Sequence, residues 1–146
     1  MNREILFKAK RLDNGKWVEG YYLDIAKIDH FICTGKIKLD GEVKGILAPE
    51  MYAIDLDTLC QYTWLTDKNG QKIWENDIVT ITIECDDYFI PSETGIVEYS
   101  YGQYELKVKA TDGQEAYSNL INKLSEAQFE IEKLGNIFDN PELWEV

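Results

Sequence analysis

A chain of 146 residues is the size of one domain and can bury about two-thirds of its unfolded surface. Hydrophobic residues at 45%, with nine Tyr, five Phe and four Trp, exclude an acidic disordered tail. A formal net charge of −12 argues against holding nucleic-acid phosphates or anionic membranes by ordinary electrostatic attraction. The acidity is uneven: residues 1–50 hold nine Lys/Arg against eight Asp/Glu, and residues 51–146 hold six against nineteen. Solubility explains such a bias most simply, and the sharper alternative is an acidic decoy for a nucleic-acid-binding protein. Cys33, Cys60 and Cys85 form no CxxC pair, and His30 is the single histidine. That pattern fits a reducing compartment. With no uncharged run near the roughly 18–20 residues that cross a bilayer, the expected location is the cytoplasm.

In chain order, Asp13-Asn14-Gly15-Lys16 separates Phe7–Leu12 from Trp17–Leu23 and predicts a hairpin turn. Residues 24–49 are less periodic, although Asp40-Gly41, between Lys36–Leu39 and Val43–Leu47, has the form of another hairpin. Asp67-Lys68-Asn69-Gly70 repeats the first device between Tyr62–Leu65 and Lys72–Trp74. Ile78 to Ile83 is β-branched throughout, which favours an extended backbone, with Val79, Ile81 and Ile83 on the buried face. Gly95–Tyr99 and Tyr104–Val108 flank Ser100-Tyr101-Gly102-Gln103 and predict a half-buried antiparallel meander. Leu120, Ile121 and Leu124 share a face in a helix expected over Glu115–Ala127. Phe129-Glu130-Ile131 returns to alternation. At the end, Asn140-Pro141-Glu142 predicts a short helix capped by Asn140. The fold class expected is mainly β: a small antiparallel barrel or packed-sheet domain with one or two short helices. One domain spans 1–146, with an N-terminal hairpin subregion (1–60) and a barrel-like core (61–146).

Few residues carry recognisable chemistry. His30 could shuttle protons near neutral pH, with Asp29 adjacent and Cys33 three residues on. On a strand, however, positions 30 and 33 point to opposite faces, so a structural histidine is the simpler reading. Asp67-x-Asn69 begins like an EF-hand loop, but Lys72 stands at its sixth position and Ile78 at its twelfth. Asp55 and Asp57, two apart on one strand face, and the group Glu84, Asp86 and Asp87 could bind a hard cation weakly. A solvated acidic edge accounts for both. No catalytic, cofactor-binding or metal-binding residue is therefore assigned, and an enzyme is not expected. Core packing accounts for most of Tyr21-Tyr22, Trp64, Trp74, Tyr99, Tyr101 and Tyr104, but Tyr21-Tyr22 and Tyr99-x-Tyr101 place rings on different faces or at a turn, so some are expected at a surface or under another subunit.

The run Gln61-Tyr62-Thr63-Trp64-Leu65-Thr66-Asp67-Lys68-Asn69-Gly70 continuing to Glu75-Asn76-Asp77-Ile78-Val79 resembles the signature of the YopX family, roughly QYTGLxDKNGxxIxEGDIV. The segment Leu134-Gly135-Asn136-Ile137-Phe138-Asp139-Asn140-Pro141-Glu142-Leu143 is similar to that family's closing IGNIxxNPEL. Arg3–Ala9 and Lys16–Gly20 are similar to its opening. Trp64 and Asn76 stand where the signature has Gly. Asn76 can keep a left-handed backbone, whereas Trp64 must fill space that Gly leaves open.

The resemblance implies a phage or prophage origin, a mainly β domain and no established activity. Three functions are compatible with these readings. The first is a non-enzymatic phage accessory protein that self-associates or binds a protein. The second is the acidic decoy, and the third an enzyme whose site is assembled from distant residues. No small-molecule substrate, direct nucleic-acid contact or membrane partner is expected.

Overall fold

A computed structural model describes residues 5–34, 50–84, 92–109, 112–119 and 128–145. The chain forms two compact units, Met1–Tyr62 and Thr63–Val146. Its strands are β1 (Phe7–Arg11), β2 (Trp17–Ile25), β3 (Asp29–Thr34), β4 (Glu50–Thr66), β5 (Lys72–Trp74), β6 (Asp77–Glu84), β7 (Glu93–Ser100), β8 (Gln103–Lys109), β9 (Glu115–Asn119) and β10 (Gln128–Asn136), followed by helix α1 (Glu142–Glu145). The fold is mainly β with antiparallel pairing, as the alternating patterns predict.

In the first unit β1, β2, β3 and β4 pair in that order, and β1 also pairs with β4, so the sheet closes into a partial ring. Its interior holds Ala9, Ile32 and Ile54, flanked by Phe7, Val18, Tyr22 and Leu59. The expected turn joins β1 to β2: the Gly15 N–H donates to Arg11 O, and Gly15 has φ +68°. The β2–β3 turn has no sequence signal of that kind, because Ala26 and Lys27 both take positive φ without glycine. The Asp24 carboxylate accepts the Lys27 N–H at 2.9 Å and stabilises that turn locally.

Between β1 and β4 the register jumps from Lys8↔Cys60 to Lys10↔Asp55, so residues 56–59 bulge out of the ladder. The expectation that Asp55 and Asp57 share one face of a regular strand is therefore corrected. Asp55 Oδ1 accepts the Asp57 N–H, and the Thr58 hydroxyl donates to Asp55 O while accepting the Lys10 N–H. These polar side chains complete a turn inside the strand.

In the second unit the sheet order is β10-β6-β7-β8-β9. Ile73, Val79, Ile81, Val97, Leu106 and Ile131 form its core, with Tyr104, Val108 and Phe129 packed against them. Val79 and Ile81 share the buried face as expected, with the partly buried Thr80 and Thr82 on the other, where they meet Thr94 and Ser92; only Ile78, at the start of β6, is buried on that second side. The meander matches its prediction: Tyr101 (φ +51°) and Gly102 (φ +81°) make the two-residue turn between β7 and β8.

The expected helix over Glu115–Ala127 is corrected at its start, because residues 115–119 are strand β9, paired with β8. Tyr117, Ser118 and Asn119 have middling helix propensity, so the β8 ladder decides their conformation. The Lys107 ammonium, 3.0 Å from the Glu115 carboxylate, adds to the pairing. Residues 120–127 of that expected helix lie outside the described set, as do the Asp40-Gly41 hairpin and Asp86-Asp87.

The terminal helix forms at Glu142–Glu145, but Asn140 does not cap it with its side chain. The Asn140 backbone carbonyl accepts the Leu143 N–H, while its side-chain oxygen accepts the Asn136 N–H. That side chain lies so close over Gly135 that a β-carbon there would collide with it. Lys109 Nζ reaches Trp144 O at 2.6 Å and lies 4.7 Å above the Trp144 ring, anchoring the helix end.

Trp64 and Asn76, the two residues standing in place of signature glycines, have φ +74° and +67°. The backbone keeps the conformation that glycine suits. Asn tolerates it and Trp, on average, does not. Trp64→Gly relieves left-handed strain worth about 1–2 kcal/mol but gives up the contacts of a ring that is 41% exposed and adds glycine's unfolded-state entropy, so it is expected to change stability by less than about 1 kcal/mol. Asn76→Gly is expected to change it by only a few tenths of a kcal/mol. Urea midpoints of the two variants measure the difference.

Candidate functional site

Side-chain direction follows from register, since alternate residues of a strand point to opposite faces. Across β2, β3 and β4 the partners Tyr21–Cys33–Met51 and Leu23–Phe31–Ala53 lie on one face, and Tyr22–Ile32–Tyr52 lie on the other. The second face turns Ile32 and Tyr22 to the interior, while the Tyr52 ring lies against the Arg11 guanidinium. The first points outward, and all six of its residues are uncharged and predominantly apolar.

Tyr21 is 48% exposed, Leu23 38% and Met51 45%. Ile25, the next residue of that parity on β2, is also exposed and stands opposite the exposed Asp29, where the apolar register ends. Cys33, in the Tyr21–Met51 register, is buried. Apolar side chains gathered on one sheet face, unlike single ones scattered over a surface, call for an explanation.

The sequence expectation that some rings reach the surface is met in several places. Trp74 is buried, whereas Tyr21, Trp64 and Tyr99 are exposed and Tyr101 is fully exposed at its turn. The companions Leu23, Phe31, Met51 and Ala53 were not singled out by sequence. The available signal was β2 itself, where Tyr21, Leu23 and Ile25 are apolar on one parity while Tyr22 occupies the other.

His30 does not meet Cys33. Its Nδ1 lies 2.6 Å from the Tyr22 hydroxyl, with the two rings stacked at 5.9 Å. Burial, and then the Asp24 carboxylate, push the Tyr22 phenol above its ordinary range, so it stays protonated and available for that hydrogen bond. Cys33 faces the other way, with its Sγ 4.0 Å from Thr34 O.

Asp67, the first residue of the EF-hand-like stretch, is occupied by the fold. Its Oδ1 accepts the N–H groups of Asn69 and Gln71, both at 2.9 Å, and its Oδ2 accepts the Lys133 N–H at 3.1 Å. A carboxylate satisfied by three backbone donors is a turn-former rather than a cation ligand. Among the described residues no cluster of three or more His, Cys, Asp or Glu is arranged to hold a metal ion.

The signature residues have structural duties of the same sort. Asp77, fully buried, accepts the Trp74 N–H at 2.8 Å and lies 3.1 Å from Lys133 Nζ. The Lys68 N–H donates to Ile131 O, and Asn136 Oδ1 accepts the N–H groups of Phe138 and Asp139. The motifs specify corners and cross-links.

The molecule is thus of the class of small, acidic proteins built from antiparallel sheets, with an outward apolar sheet face. The YopX family profile, described as YopX protein, matches residues 6–145, and the chain belongs to that family. Among solved structures it is similar to the crystal structure of protein EF1440 from Enterococcus faecalis. The identity is 21%, the alignment covers 97% of this chain and 99% of that one, and the TM-score is 0.51. At that identity the likeness is one of fold. No curated protein matches this chain.

Proposed function

We propose that this chain is a phage or prophage accessory protein that performs no chemistry and acts in the host cytoplasm by associating with protein through the outer face of β2, β3 and β4. Membership of the YopX family supports the phage setting. The carrying observation is the continuous apolar lattice of Tyr21, Leu23, Phe31, Cys33, Met51 and Ala53 on that face. Burying such side chains against a partner is favourable at about 25 cal/mol per Å² of apolar surface, before the costs of association.

Affinity purification from phage-infected cells tests the reading. An identified protein, a second copy included, should be retained by the wild-type chain and lost with Leu23→Asp. Equal capture by both would count against the face. The rival decoy reading draws support from the Thr63–Val146 unit, which has six Lys/Arg against seventeen Asp/Glu. It predicts complexes with cationic DNA-binding proteins that weaken as salt rises.

A further inference from the structure

We infer that the occupant of this outer face is a second copy of the chain, packed sheet to sheet about a two-fold axis. The inference rests on the reading that the face binds protein, and it names the partner. An isologous contact sets a patch against itself, so the patch must be self-complementary. Six uncharged positions, arranged as two registers across three strands, supply an apolar centre of that kind, with exposed Glu19, Asp29 and Asp55 on the same parity at its edge.

Charge distribution favours the same choice. The Met1–Tyr62 unit that carries the face has nine Lys/Arg and ten Asp/Glu, a net of −1, against −11 for residues 63–146. The unit as a whole therefore adds little long-range repulsion, and the acidic edge of the face supplies a local repulsion that salt screens. A contact between Thr63–Val146 surfaces would oppose two strongly like-charged bodies.

Area sets the strength. Strands about 4.8 Å apart and residues about 3.3 Å apart give three strands and two registers a footprint of a few hundred Å² per copy, with Ile25 at its margin. Standard stable interfaces use about 800 Å² per partner. The dimer is accordingly weak and forms on concentration.

Its salt response is distinctive. The contact is apolar, while each chain carries a net of −12. Raising the ionic strength screens the residual repulsion and strengthens the dimer, the opposite of a complex held by charge.

Sedimentation equilibrium of the full chain over a wide concentration range, at low and high salt, tests the inference. The wild type should pass from monomer to dimer mass, further so at high salt. Leu23→Asp and Met51→Lys should each weaken association by about tenfold or more. Tyr101→Ser, which alters an exposed ring outside the face, should leave it unchanged. Circular dichroism and melting curves establish that each variant folds, and if Leu23→Asp does not, Met51→Lys decides.

A chain that stays monomeric throughout, or a dimer that survives both face variants, overturns the inference. If the chain stays monomeric but Leu23→Asp abolishes capture of an identified phage or host protein, the second copy is ruled out and the protein-binding reading stands. If neither association nor capture responds to Leu23, both fall.

Discussion

Lys133→Met should cost about 3–5 kcal/mol of folding stability, the range expected when one partner of a buried ion pair is removed. Asp77 is completely enclosed, and Lys133 Nζ lies 3.1 Å from its Oδ2. Without the ammonium, a carboxylate enclosed in a medium that solvates it poorly loses its charged partner. Replacing the charge as well reverses part of the loss. The double variant Asp77→Asn/Lys133→Met should be more stable than the Lys133→Met single, since an asparagine oxygen still accepts the Trp74 N–H and no unbalanced charge remains. Equilibrium urea unfolding of the four proteins in the cycle measures the coupling. A double variant no more stable than the single would mean that the pair is not what stabilises this corner. On a total of about 5–15 kcal/mol, the single change alone should leave little folded protein at elevated temperature.

How much of the fold was legible depended on which residues made the turns. Where Asn-Gly or a lone Gly met the need for positive φ, at Gly15, Gly70 and Gly102, both turn and flanking strands were readable. At Ala26 and Lys27 the same backbone is adopted by residues that disfavour it, held by Asp24 and by the β2–β3 ladder, so that hairpin was invisible. Residues 115–119 were misread as helix because local propensity was nearly neutral and the deciding partner, β8, is remote from them in space-blind pattern reading. The Asp55–Leu59 bulge failed for a related reason: strand alternation assumes one residue for one, and a bulge breaks that count.

The candidate face was half legible. A sequence displays parity within one strand, and Tyr21, Leu23 and Ile25 were visible in that sense. It does not display which strands lie side by side, and only the register Leu23↔Phe31↔Ala53 joins separate apolar residues into a surface. The long signature was legible in another way. Asp67, Asn76, Asp77, Gly135 and Asn136 are absorbed by turns, left-handed backbone and buried cross-links, so the part of the chain easiest to recognise is architectural. Function is better sought where the signature is silent, on the β2–β3–β4 face.

Asp67 supplies the second large effect, and pH exposes it. The carboxylate closes the turn through Asn69 and Gln71 and ties it to β10 through Lys133, so Asp67→Ala removes three charge-assisted hydrogen bonds and should cost about 3 kcal/mol. Burial by itself would push the Asp67 carboxyl up. The N–H groups of Gln71, Lys133 and Asn69, and then the Lys133 ammonium, outweigh burial and hold it below the usual carboxylate range. A group whose folded pKa lies below its unfolded value binds protons more readily when unfolded. Its contribution is therefore complete above the unfolded pKa, near 3.8, and disappears as pH falls through the lower folded value. The stability difference between wild type and Asp67→Ala should hold steady from neutral pH down to about pH 5 and narrow below about pH 4. Urea midpoints at successive pH values follow it. A difference that stays constant through the acid range would show that the charge on Asp67 contributes nothing to the turn, and that its oxygens serve only as neutral acceptors.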